Sequence, residues 1–557
     1  MTLRFIILFF VVFTVNGFSQ GLMEDKFLPT RQDTLRGSIT PEREWWDLTY
    51  YHLDIKVEPD KKFIRGSNTV GYKVLKSNKT MQIDLQEPME ITSVYSNGES
   101  LKFSREGNVY FIELKTRQKK NDINYLKIFY EGFPKEAIRP PWDGGLSWTK
   151  DKNGNHFIAT SCQGLGASVW WPNKDHMYDE VDSMLISVNI PKHLTNVSNG
   201  RLRMVKEYKD NTKTFDWFIT NPINNYGVNI NIGDYVNFSE VYKGEKGNLD
   251  INNYVLSYNL DKAKEQFKQV PMMIEAFEYW FGPYPFYEDS FKMVEVPYLG
   301  MEHQSSITYG NGFQNGYKGT SYPSNSRWGL EFDYIIIHEG GHEWFANNIT
   351  YIDIADMWLH EGFTTYSENL YVEYFFGKEA GAEYVISSRS GISNNKPIIT
   401  GEYDINRESS GDIYAKGANV LHTLRQIVND DNLWRKTLRG INKDFYHKTV
   451  SSKQIENYLS KKLNLNLDKF FDQYLRNNRV PTLEYEVLNG ELNFRWSDVI
   501  DGFDMPIEVK IDNMKKFIYP TVEWKQTKMS SYSFEVDDDY YIVKKNIIGF
   551  ENEIRDN

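Results

Sequence analysis

A chain of 557 residues is too long to fold around one compact core, so two to four domains are expected. Hydrophobic residues make up 40% and aromatic residues 15%, which suffices to fill folded cores and excludes a disordered chain. The formal net charge of −12 argues against nucleic-acid binding, because phosphates would be repelled by such a surface.

The first residues have the pattern of an export signal. Arg4 gives a positive start, residues 5–15 are apolar, and small residues stand at Gly17 and Ser19 around a cleavage position. No later segment approaches the roughly 18 uninterrupted apolar residues that a membrane-spanning helix needs. We predict a signal peptide at 1–19 and an exported mature chain, periplasmic or secreted, without a transmembrane segment. An uncleaved signal anchor is the alternative.

The residues that follow, to about position 245, have the pattern of β-strands. Residues 50–57 alternate between apolar and polar with period two, and similar runs occur at 184–190 and 214–219. Turn-forming residues separate such runs. The chain contains one cysteine, Cys162, so an intramolecular disulfide is impossible, and we expect a buried, inert thiol. We predict an antiparallel β domain at 40–245.

The period changes to that of helices near residue 261. A helix is predicted over 263–281, closed by Pro283 and Pro285, and the chain stays mostly helical to about residue 478, with one short strand at 292–296. These features define a second domain at 246–480.

Strands return at the C-terminus. Residues 483–487 and 492–496 flank the hairpin turn Asn489-Gly490, so a small β module is predicted at 481–557. The fold class is therefore α+β and multidomain.

The most specific pattern is His338-Glu339-Gly340-Gly341-His342, followed after eighteen residues by Glu361. Two histidines four residues apart project from one face of a helix, and with Glu361 they form a catalytic zinc set that leaves one position open. Glu339 follows the first ligand, where it can accept a proton from water.

The context of this pattern agrees with a helix pair. Residues 334–337 give an apolar approach, residues 344–346 are expected to continue the buried face of the helix, and residues 358–363 to begin a second helix. One Zn²⁺ per chain is predicted.

Other motifs occur around the zinc pattern in a fixed order. They are Gly300-Met301-Glu302, Tyr414-Ala415-Lys416-Gly417-Ala418, and Thr160-Ser161-Cys162-Gln163. Together with the zinc pattern they resemble the zinc aminopeptidases of family M1, the gluzincin family of aminopeptidase N and leukotriene hydrolase. The resemblance covers the chain from about residue 45 to 540.

The resemblance implies a thermolysin-like catalytic domain and a role for each motif. Glu302, with Gly300 and Met301, would bind the free α-amine of a peptide, and Gln163 would assist. Tyr414 would stabilise the oxyanion of the tetrahedral intermediate. The implied activity is zinc-dependent hydrolysis of the N-terminal peptide bond, with peptides carrying a free N-terminus as substrates.

Three positions depart from the family pattern: Leu299 replaces a glycine, His303 an asparagine, and His360 an asparagine beside the third ligand. Leu299 could alter the first side-chain pocket. His360 points about 100° away from Glu361 on a helix, so we expect it to make a supporting hydrogen bond and not to bind the metal. The family's large helical C-terminal domain is replaced here by the β module, which predicts a less enclosed site.

Other functions stay open at this point. A zinc endopeptidase of the thermolysin type shares the zinc pattern but has no use for Glu302. A catalytically silent zinc-binding scaffold would not need Glu339 or Tyr414. Lipid epoxide hydrolysis, found in one branch of the family, lacks support because no long apolar channel can be identified.

Overall fold

The computed structural model of the protein describes residues 28–530 and 533–547. The predicted signal peptide lies outside the described residues. Within the described part, no helix is both long and apolar enough to cross a membrane.

The N-terminal part of the chain is built from strands. This part begins with a short helix, α1 (Arg31–Gly37). Its longest sheet has the strand order β13-β14-β11-β1-β2-β8-β4-β5. Two smaller sheets have the orders β12-β15-β10-β9 and β3-β7-β6. The strands are β1 Trp46–Glu58, β2 Phe63–Val74, β3 Thr80–Asp84, β4 Glu90–Ser96, β5 Glu99–Ser100, β6 Lys102–Glu106, β7 Val109–Glu113, β8 Ile123–Gly132, β9 Gly145–Lys150, β10 His156–Ser161, β11 Ser183–Pro191, β12 Thr195–Ser198, β13 Arg201–Glu207, β14 Thr212–Ile219, β15 Ile230–Gly233, β16 Tyr235–Gly244 and β17 Gly247–Leu256.

Pairing in the longest sheet is antiparallel with one exception. The parallel pair is β1 and β11, with Leu53 opposite Ile186. Alternate residues of β1 are buried, as the period-two pattern predicts. Trp170, Trp171 and Cys162 are completely buried beneath these sheets, and burial raises the pKa of the Cys162 thiol far above its usual value.

The middle part of the chain is mostly helical around a small sheet of order β16-β17-β18-β20-β19. Its helices are α2 Leu260–Gln266, α3 Gln269–Phe281, α4 Tyr334–Gly341, α5 Trp358–Phe376, α6 Lys378–Ser387, α7 Ala415–Val428, α8 Asp431–Asp444, α9 Ser452–Leu463 and α10 Asp468–Leu475. Its short strands are β18 Met293–Glu295, β19 Gly300–Met301, β20 Ile307–Tyr309, β21 Ile349–Tyr351 and β22 Lys448–Val450.

The single helix predicted over 263–281 is wrong, because the chain breaks between α2 and α3. Pro271 lacks an N–H group, and in a continuous helix its ring would collide with the carbonyl of Phe267. The helix therefore ends at Gln266 and restarts at Gln269, which places Pro271 in the first turn of α3, where a proline is tolerated.

The last part of the chain returns to strands in two sheets, of order β27-β24-β23-β29 and β26-β25-β28. The strands are β23 Thr482–Leu488, β24 Glu491–Ser497, β25 Ile507–Ile511, β26 Met514–Ile518, β27 Lys525–Lys528, β28 Phe534–Val536 and β29 Val543–Asn546. These strands share one hydrophobic core with the helices, and Tyr474 of α10 donates a hydrogen bond to the carbonyl of Tyr541 at 2.8 Å.

The α+β class predicted from the sequence is thus confirmed. The second hydrophobic core fills the N-terminal sheets and reaches Tyr298 and Met301, at the edge of the small central sheet. Helix α4 therefore meets the β-rich part of the chain at β19, where Gly300 lies against Ile335.

Candidate active site

Helix α4 carries His338, Glu339 and, at its C-terminal end, His342. Its first turn is fixed by Asp333, whose carboxylate accepts a hydrogen bond from the N–H of Ile335 at 3.1 Å. All residues of α4 are buried. Ile335, Ile336 and Ile337 pack into the core, and the polar residues His338 and Glu339 line the cavity described below. The helix thus holds its two histidines on a rigid, buried segment.

The prediction that residues 344–346 continue this helix is wrong. These residues are buried, but Phe345 has φ −128° and ψ 88°, and Ala346 has φ 147° and ψ −50°, so the backbone leaves helical geometry. The turn directs the carbonyl of Phe345 back towards His342, whose Nδ1 lies 3.0 Å away. Because a carbonyl only accepts, Nδ1 carries a proton, so Nε2 is the nitrogen that can offer its lone pair to a metal ion.

His338 is oriented in the same way by a carboxylate. Its Nδ1 donates to Oε1 of Glu368 at 2.7 Å, and the other oxygen of Glu368 accepts from the hydroxyl of Tyr384 at 2.6 Å. This hydrogen bond makes Nε2 the nitrogen of His338 that can bind a metal ion. Like Nε2 of His342, it faces Glu361.

Glu361, in the first turn of α5, completes the group. Its Oε2 lies 3.6 Å from Nε2 of His338 and 3.4 Å from Nε2 of His342. Ligand atoms of a tetrahedral zinc ion with bonds of about 2.0–2.2 Å stand roughly 3.3–3.6 Å apart, which is the spacing found here. Oε2 is buried and accepts no hydrogen bond from the described residues, whereas Oε1 accepts one from Gln163 at 2.8 Å. The residues therefore fit a zinc ion.

The charges of the site favour a bound cation. Burial opposes charge on His342, but Glu361 attracts it and raises its pKa to about 9. Burial raises the pKa of Glu361, but His342 and His338 together bring it well below its usual range. For Glu339, burial raises the pKa to about 7, although His338 acts in the opposite direction. Three buried carboxylates, those of Glu302, Glu339 and Glu361, thus surround the two histidines.

Glu302 is a buried carboxylate beside His342 and Glu339. One carboxylate oxygen of Glu302, one of Glu339 and one nitrogen of His342 all lie within 4.8 Å of one another. Tyr226 donates a hydrogen bond to Oε1 of Glu302 at 3.1 Å. Gly300, two residues earlier, lies so close to α4 that an added Cβ would stand 2.5 Å from Cγ2 of Ile335. A glycine at this position lets β19 bring Glu302 next to the metal-ligand group.

Tyr414 stands at the start of α7, with its ring centroid 6.1 Å from that of His338. The position depends on a close crossing of α5 and α7, because a Cβ added at Gly417 would lie 2.8 Å from Cα of Gly362. Lys416 points away from the cavity, and its Nζ donates to the carbonyl of Asn477 at 3.3 Å. In this motif the tyrosine faces the cavity, and the lysine and glycine serve packing.

The three residues that depart from the family pattern lie in different surroundings. Leu299 lines the cavity. His303 is buried outside it, where burial lowers its pKa to about 3, and its Nδ1 lies 3.3 Å from Oγ1 of Thr308. His360 is also buried, and its Nε2 accepts from the N–H of Tyr351 at 2.9 Å, so its hydrogen bond does not go to a ligand of the predicted zinc ion.

An open cavity of about 420 Å³ lies in front of these residues. It is lined by the predicted site residues, by aromatic side chains and by further carboxylates. The predicted residues in its wall are Gln163, Gly300, Met301, Glu302, His338, Glu339, His342, Glu361 and Tyr414.

Several residues of the site were missed by the sequence analysis. Thr364 and Glu368 follow Glu361 by three and seven residues on α5, so helical spacing from the third ligand could have found them. Oγ1 of Thr364 lies 3.0 Å from Nδ1 of His342. Tyr226 and Glu408 come from distant loops, and nothing local in the sequence points to them.

Comparison with protein-family models gives two matches. The model of the peptidase M1 N-terminal domain matches residues 48–226, and that of the peptidase family M1 domain matches residues 261–474.

Sequence relatives and solved structures agree with the family models. Probable aminopeptidase 2 of Sulfurisphaera tokodaii is 22% identical over 426 residues, which are 73% of this chain and 51% of that protein. Endoplasmic reticulum aminopeptidase 1 of Mus musculus is 27% identical over 272 residues, which are 46% of this chain and 28% of that protein. The chain spans about half the length of the first relative. An M1 zinc metallopeptidase from Deinococcus radiodurans has the same fold, with a TM-score of 0.64, 20% identity, and coverage of 77% of this chain and 93% of that one.

Proposed function

This chain belongs to peptidase family M1, and from that premise we propose that it is a zinc-dependent aminopeptidase that hydrolyses the N-terminal peptide bond of peptides. The observation that carries the proposal is the position of Glu302. Its buried carboxylate lies within 4.8 Å of His342 and Glu339, so a positive α-amine held there would bring the carbonyl of the same residue to the metal site.

Each residue has one task in the proposed reaction. Glu302 and the carbonyl oxygen of the Gln163 amide accept hydrogen bonds from the α-ammonium group and fix the first residue of the peptide. His338, His342 and Glu361 would hold one zinc ion per chain, which supplies a Lewis acid that polarises the peptide carbonyl and makes water more acidic.

Proton transfer and charge stabilisation fall to Glu339 and Tyr414. Glu339 accepts the proton of the attacking water and passes it to the leaving amine nitrogen, and its buried position keeps its pKa near neutrality. The hydroxyl of Tyr414, facing the cavity from the start of α7, donates a hydrogen bond to the developing oxyanion. The products are a free amino acid and a peptide shortened by one residue.

The test compares free and blocked substrates. The mature, zinc-loaded protein is assayed on aminoacyl chromogenic substrates and on their N-acetylated forms, with and without a chelator. We expect chelator-sensitive release from the free-amine substrates alone. Glu302→Gln removes a charged hydrogen bond worth about 1.5–3 kcal/mol and should lower kcat/KM roughly 10- to 150-fold.

Glu295→Gln is the matched control, because this carboxylate on β18 binds Asn259 and the N–H of Leu256, outside the cavity. It should leave kcat/KM unchanged. Equal cleavage of acetylated substrates would instead indicate a thermolysin-type endopeptidase, and zinc binding without turnover would indicate a silent scaffold.

We also propose that the chain is exported after removal of residues 1–19. The support is the charged, apolar and small-residue pattern of the N-terminus. N-terminal sequencing of the protein recovered from the periplasm and the medium tests this, and recovery of the intact N-terminus from the cytoplasm alone would contradict it.

A further inference from the structure

The cavity in front of the site is acidic throughout. Of the residues that the structure describes, five glutamates and no lysine or arginine line it, so its charged groups apart from the two histidines all carry the same sign. Four of the five have roles above: Glu302, Glu339 and Glu361 face the substrate or the metal, and Glu368 orients His338. The fifth, Glu408, has no role in the reaction as derived.

Glu408 lies in the segment that precedes Tyr414. Its side chain is exposed to the cavity, and in the described part of the chain it makes no hydrogen bond or salt bridge, with Lys396 attracting it only from beyond salt-bridge distance. A carboxylate without a partner in a cavity that already contains four others raises the local negative potential, which a cationic group would relieve.

Glu408 lies near the amine anchor, against Gly164, the glycine that follows Gln163. A Cβ added at Gly164 would lie 2.2 Å from Oε1 of Glu408, so this carboxylate rests directly on the backbone next to Gln163. Asn406 holds the two segments together by donating to the carbonyl of Gly164 at 2.9 Å.

Gln163 in turn connects this carboxylate with the metal-ligand group. Its amide donates to Oε1 of Glu361, and the other oxygen of Glu361 faces His342, which lies next to Glu302. A peptide whose first residue is bound at Glu302 and Gln163 would therefore have Glu408 in the same cavity wall, beside Gln163 and within the space that its first side chain enters.

We propose that Glu408 is a specificity-determining residue that selects peptides whose first side chain is cationic, arginine or lysine. The inference rests on the proposed aminopeptidase function. The carboxylate pairs with the guanidinium or ammonium group, and arginine can be held by two parallel hydrogen bonds.

The test isolates the charge of the first side chain. Arginine and citrulline differ in charge but hardly in shape, so kcat/KM is measured for arginyl and citrullinyl chromogenic substrates with the zinc-loaded full chain. We expect the native protein to favour arginine about tenfold or more, and Glu408→Gln to lower the ratio about tenfold, which corresponds to about 1.4 kcal/mol.

Glu402→Gln is the matched control, since it removes one negative charge from the same segment at a carboxylate that pairs with Arg407 outside the cavity. It should keep the native ratio, and high salt should reduce the ratio in the native protein. An arginine-to-citrulline ratio near one in the native protein, or one that Glu408→Gln leaves unchanged, overturns the inference while aminopeptidase activity stands. If none of the free-amine substrates is cleaved, the proposed function itself is overturned.

Discussion

The crossing of α5 and α7 gives a prediction with a calculable size. A Cβ added at Gly417 would stand 2.8 Å from Cα of Gly362, and ordinary contact begins at 3.4 Å, so Gly417→Ala must move the two helices apart by about 0.6 Å. The Cα of Gly362 is a backbone atom and the added Cβ is rigidly attached to the backbone, so no side-chain rotation can relieve the contact.

Two effects oppose each other in this variant. Alanine improves helix propensity by up to about 1 kcal/mol, whereas overpacking of this kind costs about 1–3 kcal/mol. The net loss in unfolding free energy is therefore at most about 3 kcal/mol. The effect on catalysis is larger, because α5 carries Glu361 and Tyr414 begins α7, and a misplacement approaching 1 Å costs up to about 10²-fold. We expect kcat/KM to fall about 10- to 100-fold.

The assay combines steady-state kinetics on one aminoacyl substrate with urea unfolding of the same zinc-loaded samples. Gly440→Ala in α8 is the matched control, because its Cβ would meet only the hydroxyl end of Tyr458, at 2.5 Å, and this side chain can rotate. The control should keep native activity and lose no stability, because the gain in helix propensity offsets the hydrogen bond to Asp444 that Tyr458 gives up when it rotates. If Gly417→Ala matched Gly440→Ala in both measurements, the close crossing would not be what positions Tyr414.

Two further predictions follow from buried groups around the site. Glu368→Gln weakens the hydrogen bond that orients His338 and should raise the zinc dissociation constant about 10- to 100-fold in a chelator competition. The control Glu379→Gln, at an exposed position on α6, should not change this constant. Equal zinc affinities of the two variants would contradict the role of Glu368. Cys162 is completely buried with a raised pKa, so a thiol reagent should modify it only after unfolding; rapid labelling of the native protein would contradict this.

The parts of the site that could be predicted from the sequence are those in which spacing alone determines geometry. His338 and His342 lie four residues apart on one helix, and Glu361 begins the next, so a local pattern suffices for the three candidate ligands. Glu408 reaches the cavity, and Tyr226 reaches the carboxylate of Glu302, from loops far away in the chain, and no local periodicity encodes where those loops meet the site.

The errors have physical causes of a different kind. The helix predicted over 263–281 failed because hydrophobic spacing was given more weight than Pro271, whose ring forbids a continuous helix. The helix predicted through 344–346 failed although its residues are as apolar and as buried as the pattern requires. Burial is a necessary condition for that pattern, but it does not decide the backbone conformation of the buried residues.

The turn after His342 shows what decides the conformation there. Ala346 at φ 147° is strained, which costs on the order of 1–3 kcal/mol for a residue with a side chain. A regular helix would remove that strain, but the carbonyl of Phe345 would then bond within the helix and could not accept from Nδ1 of His342. The carbonyl of Ala346 instead accepts from the hydroxyl of Thr350. The strained turn thus places a proton acceptor beside Nδ1 of His342, which leaves Nε2 for the metal ion. The expectation that a buried apolar run continues the helix fails here because the chemistry requires another backbone conformation.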